Sequence, residues 1–206
     1  DRFADMIIMG IGLLAILLFS LIEIIPESLF LGNYEIFHPF SVILGAVNQA
    51  LSGKTMLVNS FSQYGVLWPH LCELVFRVLP PSIFAISSFF ALLTFAAWSF
   101  IFFTIRDVTG SRRFAGLSII FILGIFHSLN ISYKPFAPYF QYLPIRMLFP
   151  AAMLYLSWQY LTKPSRTKYL GGFALCGASL LWNLETGVIL TVAWTGCLVY
   201  RSLAEK

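Results

Sequence analysis

The sequence predicts an all-α, polytopic transmembrane helix bundle of about six spans, with interfacial amphipathic helices in the first outer loop. Three observations carry that prediction. The 206-residue chain is 59% hydrophobic and only 11% charged, with a mean hydropathy of +0.83; soluble chains carry roughly a quarter charged residues. Long apolar runs recur, and Ile83–Ile105 contains no formal charge. A soluble protein this short has too much surface relative to volume to hide such runs. The basic residues punctuate the runs rather than forming an arm, so the net charge of +4 sets membrane topology and argues against a nucleic-acid partner.

The first apolar run, Met6–Ile25, is about 20 residues and reaches roughly 30 Å as a helix. It is too long for a signal-peptide core and lacks a small-x-small cleavage site, so it reads as an anchor. Pro26 ends it, and a polar, mixed stretch follows to about Gln63. Within that stretch Pro39 suits a first helical position. Phe40, Ile43, Leu44, Val47 and Leu51 then share one helical face, with Ser41, Asn48, Gln49 and Ser52 opposite. Ser52-Gly53 closes the pattern; the helix is too short to span and is expected in the interface. Tyr64–Leu79 carries Glu73 and Arg77 at ion-pair spacing and ends at Pro80-Pro81. It is read as another interfacial or re-entrant helix, because a span there would put His70, Glu73 and Arg77 in lipid. The remaining spans are Ser82–Ile105, Phe114–Ile131, Arg146–Leu161, Tyr169–Trp182 and Val188–Tyr200. The last two flank Asn183-Leu184-Glu185-Thr186-Gly187 and form either a hairpin with a polar tip, the favoured reading, or one broken helix.

With the N-terminus inside, the inner segments hold Arg2, Arg106, Arg112, Arg113, Lys163, Arg166, Lys168, Arg201 and Lys206, and the outer ones Lys54, Arg77, Lys134 and Arg146. This bias obeys the positive-inside rule and predicts an integral membrane protein with a cytoplasmic N-terminus. Making Tyr64–Leu79 a span would reverse it. Cys72, Cys176 and Cys197 are far apart in apolar surroundings and are expected to be buried free thiols. The whole of 1–206 reads as a single transmembrane module, expected to be the N-terminal part of a longer protein.

The unusual polar residues fall on the outer side. Glu35 and His38 lie three apart and can approach one target, where a partly dehydrated carboxylate or imidazole serves as a general base. The same two residues also suit an exposed loop and a helix cap. Arg146, at the mouth of the fourth span, has the guanidinium fork that grips a lipid phosphate, or snorkels to ordinary headgroups. Tyr133, Tyr139 and Tyr142 offer a sugar-stacking surface or an interfacial aromatic belt. Glu185 either touches substrate or is a structural carboxylate held by Asn183. Lys54, Gln63 and Tyr64 complete the candidate substrate-binding set with Arg146, Asn183 and Glu185.

Glu35-x-x-His38, Gly53-Lys54-Thr55-Met56-Leu57-Val58 and Phe61-Ser62-Gln63-Tyr64-Gly65 resemble the first-loop pattern of bacterial membrane proteins of the GT-C glycosyltransferase type. Pro144-Ile145-Arg146 and Trp182-Asn183-Leu184-Glu185-Thr186-Gly187 are similar to later parts of that group. The resemblance implies a bacterial inner-membrane protein of the cell envelope that transfers a sugar at the outer face of that membrane, from a polyprenyl-phosphate donor to an acceptor it does not identify. It implies Glu35 as base or metal partner, His38 assisting, and leaves a divalent-metal requirement open. Asn33 and Asn59 stand where the group often carries Asp. Two other functions fit the same residues: a transporter or flippase, with a broken helix at Asn183–Gly187 lining a path, or a noncatalytic assembly subunit.

Overall fold

A computed structural model describes residues 2–22, 34–62, 64–133 and 143–204, with the side chains of residues 2, 22, 34–41, 83 and 129–133 outside that description. These residues form eight α-helices: α1 (Arg2–Ile22), α2 (Tyr34–Leu51), α3 (Leu67–Phe76), α4 (Ile83–Thr109), α5 (Arg112–Tyr133), α6 (Leu148–Thr162), α7 (Arg166–Trp182) and α8 (Leu184–Ala204). Three of the described helices, over Phe3–Leu21, Phe84–Thr109 and Leu184–Ala204, are long and apolar enough to cross a membrane, which points to an integral membrane protein. Three of the expected six are therefore shown on these grounds; α5 is not among them, and α6 and α7, at 15 and 17 residues, reach only roughly 23 and 26 Å.

Local chemistry sets the boundaries. Ser82 caps α4 by accepting the Ala85 N–H at 3.1 Å, and Gly110 closes that helix at φ 65°. Ser165 caps α7 through the Lys168 N–H at 3.3 Å. Pro69 occupies the third position of α3, where a missing N–H costs nothing. Its ten residues are too short to span, as the sequence predicts for this region, and it is packed down through buried Trp68 and Cys72. On the long helices Ser20, Thr104, Ser128, Thr191 and Thr195 return their hydroxyl protons to the carbonyl four residues back. Such bonds satisfy a hydroxyl that has no water to turn to.

Two sequence boundaries are corrected. α2 begins at Tyr34 instead of Pro39, five residues earlier, and its packed face holds Ile43, Ala46, Val47 and Ala50 while Leu51 points outward. The alanines pack because small side chains let helices approach closely. Asn183 alone separates α7 from α8, so Glu185 to Gly187 belong to the first turn of α8 rather than to a polar tip.

α7 and α8 are an antiparallel hairpin. A Cβ on Gly187 would lie 2.5 Å from the Leu180 backbone, and one on Gly172 would run into the Trp194 indole. Contacts that step backward along α7 as they step forward along α8 are those of a hairpin, not of one broken helix. Apart from it, α1, α4 and α5 enclose a core of Ile16, Trp98, Phe102, Ala115 and Ile119. A second core joins α2, α3 and α4 to Ile145 and Trp182. The third, with Met153, Cys176, Leu190 and Trp194, lies among α6, α7 and α8.

One end of the bundle is tied by charge. Arg113 pairs with Asp5 at 2.5 Å, joining α5 to α1. Asp107 accepts from Arg106 and, at 2.7 Å, from Gln159 of α6. Lys168 donates to the carbonyls of Gln159 and Lys163, and Arg201 to that of Tyr160. Four of the nine basic residues assigned to the inner side, Arg106, Arg113, Lys168 and Arg201, therefore tie the ends of adjacent helices.

Candidate functional site

The opposite end is assembled from three segments distant in sequence. Trp182, the last residue of α7, is 1% exposed and donates its indole N–H to the Ile145 carbonyl at 2.8 Å. Its ring also packs on Phe149 of α6, centroid to centroid 5.4 Å. That bond fixes the 143–147 turn and with it Arg146. The loop before α3 is held to the same helix end, because the Val66 N–H donates to the Leu181 carbonyl at 2.8 Å. Gly65 makes the approach feasible: its φ is +134°, and a Cβ there would lie 2.5 Å from the Trp182 carbonyl carbon and 2.9 Å from the Leu181 oxygen. Earlier in the loop, the Thr55 N–H bonds to the Asn59 Oδ1 at 2.7 Å and the Leu57 N–H to the Ser60 carbonyl at 2.8 Å. Leu57 takes a left-handed φ of 66°, and Leu57, Val58 and Phe61 remain exposed.

These segments enclose a cavity of about 600 Å³. Leu57, Phe61, Val66, Leu180, Leu181 and Leu184 supply an apolar wall, and Ser62, Tyr64, Arg146, Asn183 and Glu185 the polar part. Arg146 and Glu185 form an ion pair at 3.3 Å, the Arg146 side chain 38% and the Glu185 side chain 76% exposed. The guanidinium carbon stands 5.8 Å from the Tyr64 ring centroid, within cation–π range. Asn183 is 2% exposed, and its Oδ1 accepts from both the backbone and the hydroxyl of Thr186, each at 3.0 Å. It is the N-cap of α8. Chemically, the site offers a cation beside a hydrocarbon-like wall: a place for an anion that carries an apolar chain.

The structure thus brings together four of the candidate residues, Tyr64, Arg146, Asn183 and Glu185. Lys54 stands on the exposed start of the loop, outside the cavity lining. Glu35 and His38 lie in the first turns of α2, but their side chains fall outside the described residues, as does Gln63. Tyr133 ends α5 without a described side chain, and Tyr139 and Tyr142 are outside too. Among the described residues no group of three His, Cys, Asp or Glu side chains is placed to hold a metal. The predicted Glu73–Arg77 pair forms, at 2.8 Å, with His70 adding a second contact to Glu73 at 3.1 Å. The hydrogen bond from Arg77, then that from His70, holds the Glu73 carboxyl below its ordinary range, yet this trio lies on α3 away from the cavity. Cys72 is a buried free thiol, pushed up to about 12 by burial and therefore inert at neutral pH.

Ser62, Gly65 and Trp182 are site-forming residues whose roles sequence reasoning missed. Their signal is present, since Phe61–Gly65 and Trp182–Gly187 are motif-like runs, but nothing local says that the two runs touch. No protein-family model, curated protein or solved structure matches the chain.

Proposed function

We propose that this chain is a membrane module that holds an anionic, lipid-linked substrate and serves glycosyl transfer from a polyprenyl-phosphate donor. One observation carries the reading: the cavity sets Arg146 against an apolar wall at the first residue of a membrane-crossing helix, Leu184. A phosphate on a hydrocarbon chain matches both halves, with the guanidinium fork on the phosphate and the chain along Leu57, Phe61 and Leu181. Glu35 as base and His38 as its assistant complete the transfer reading on sequence spacing.

The six-span arrangement belongs to the same proposal. α5 turns Phe114, Leu117, Phe121 and Ile125 outward and α7 turns Leu170 and Phe173 outward, as lipid-facing helices do. The clustered basic end then marks the cytoplasmic side and the cavity the outer side of a bacterial inner membrane. Single cysteines at Val58 and Arg112, probed with an impermeant thiol reagent in intact cells, are expected to label at 58 and not at 112.

The decisive binding experiment measures a polyprenyl phosphate on the purified chain in nanodiscs. Arg146→Ala is expected to weaken binding by about 10- to 100-fold, the cost of losing hydrogen bonds to a charged group, and Arg146→Lys by less. Unchanged affinity in Arg146→Ala sinks the reading. For transfer, Glu35→Gln is expected to abolish activity with folding intact, and retained activity removes Glu35 as base. A transporter is less well supported, because the antiparallel hairpin takes away the broken helix on which that reading leans.

A further inference from the structure

We infer that the cavity works by exchange: the phosphate of the bound amphiphile displaces the Glu185 carboxylate from Arg146 and receives a hydrogen bond from the Ser62 hydroxyl. This step presupposes the amphiphile reading above and deepens it, by naming the internal group the ligand replaces and an added donor that meets it.

Glu185 has the properties of a stand-in. Its carboxylate sits against Arg146 at 3.3 Å, at the long end of a hydrogen bond, and its side chain is 76% exposed at the cavity wall. Exposed ion pairs of that kind are weak and readily exchanged. A phosphate presents the same chemistry as the carboxylate with more charge and more acceptor oxygens, so it competes for the guanidinium on favourable terms.

Ser62 supplies the independent observation. It is 6% exposed and lines the same cavity, and its hydroxyl is buried without a hydrogen-bond partner among the described residues. A buried hydroxyl left unsatisfied is costly, and most such groups in native proteins are paired. Ser62 lines the cavity that also holds the guanidinium, and turning its side chain toward an incoming phosphate oxygen gives the hydroxyl the partner it lacks. The chain of the ligand is then led along Leu181 and Leu184, toward the end of the membrane-crossing helix α8.

The test is equilibrium binding of farnesyl phosphate to the purified chain in nanodiscs, with farnesol and inorganic phosphate as separate arms. Farnesyl phosphate is expected to bind more tightly than either. Inorganic phosphate binding equally well, or no farnesyl phosphate binding at all, overturns the underlying amphiphile reading and the exchange with it. If the wild type binds, Glu185→Gln is expected to tighten binding about three- to tenfold, since it removes both a competitor and a like charge. Unchanged or weaker binding in Glu185→Gln overturns the exchange while leaving the amphiphile reading standing. Ser62→Ala is expected to weaken binding about tenfold with no loss of thermal stability, because it deletes an unsatisfied group. Wild-type affinity in that variant removes Ser62 from the site.

Discussion

Replacing Gly65 with alanine puts a methyl group against backbone atoms that cannot rotate away. The new Cβ would run into the Trp182 carbonyl oxygen, and would lie 2.5 Å from its carbon and 2.9 Å from the Leu181 oxygen. Relief to an ordinary contact of about 3.4 Å requires the loop to withdraw by roughly 1 Å. The Val66 N–H to Leu181 carbonyl bond, 2.8 Å in the wild type, is then stretched beyond its working range. Losing it costs about 0.5–1.5 kcal/mol. Holding a non-glycine residue at a φ of +134° adds about 1–3 kcal/mol. The sum is about 1.5–4.5 kcal/mol, borne locally by the junction between the loop and the end of α7. Hydrogen exchange at the Val66 amide is the direct assay, expected to lose a factor of roughly 10 to 2,000 in protection, alongside a fall in thermal stability and in farnesyl phosphate binding. Gly45→Ala is the control, because a Cβ on Gly45 meets nothing within 4 Å; it is expected to be neutral or stabilising by up to about 1 kcal/mol. Full Val66 protection and wild-type binding in Gly65→Ala would refute the account of how the cavity is held together.

Three further outcomes are expected. Trp182→Phe, which leaves the buried Ile145 carbonyl without the indole N–H, costs about 1–3 kcal/mol more in detergent unfolding than Trp68→Phe, whose indole N–H has no partner among the described residues; equal costs would contradict the role of that bond. Gly187→Ala drives a methyl into the Leu180 backbone and is expected to destabilise the hairpin by about 1–3 kcal/mol, as followed by thermal unfolding, with wild-type stability counting against close antiparallel packing. The Glu73 carboxyl is held low in the folded state by Arg77 and His70, so its contribution is present above the ordinary carboxylate value of about 4.3 and is lost as pH falls through the lower folded value. Wild type is thus expected to be more stable than Glu73→Gln at pH 7 and to converge with it in acid; a gap that persists at pH 2 would disprove the linkage.

Much of the helical layout was legible because apolar runs and their stops are local. Pro80-Pro81 and the Ser82 cap separate α3 from α4, and the polar break before Glu185 separates α7 from α8. Arg146, Tyr64, Asn183 and Glu185 were legible as candidates because polar residues beside apolar runs need a reason to be there. Their convergence was not legible. It depends on Trp182 reaching Ile145 and on Val66 reaching Leu181, contacts spanning 37 residues and more than a hundred, respectively. Periodicity carries no information at that range. The start of α2 was misplaced for a related reason: Pro39 is an acceptable first residue, and the sequence signal for a start is stronger there than at Tyr34, where the helix begins.

The two ends of the bundle use their cations for different purposes. At the basic end, Lys168 and Arg201 donate to carbonyls in the last turns of α6, and Arg106 lies in the last turn of α4. Cations there complement the negative ends of helix dipoles, so their presence is explained by the fold alone. Arg146 is placed the other way round. It lies two residues before α6 and is paired to the first turn of α8, so it stands beside two helix N-termini, where a cation opposes the dipole. The helix dipoles do not favour a guanidinium in that position, where Glu185 and the Tyr64 ring are its partners; under the proposed reading a bound anion adds to them, since the dipoles and the cation then act on the same ligand. Glu185 is the internal anion paired with Arg146, and its placement in the first turn of α8 satisfies the helix as well. If the proposed exchange holds, an exposed pair at 3.3 Å suits it: a tight bidentate bridge would raise the cost of letting a phosphate in.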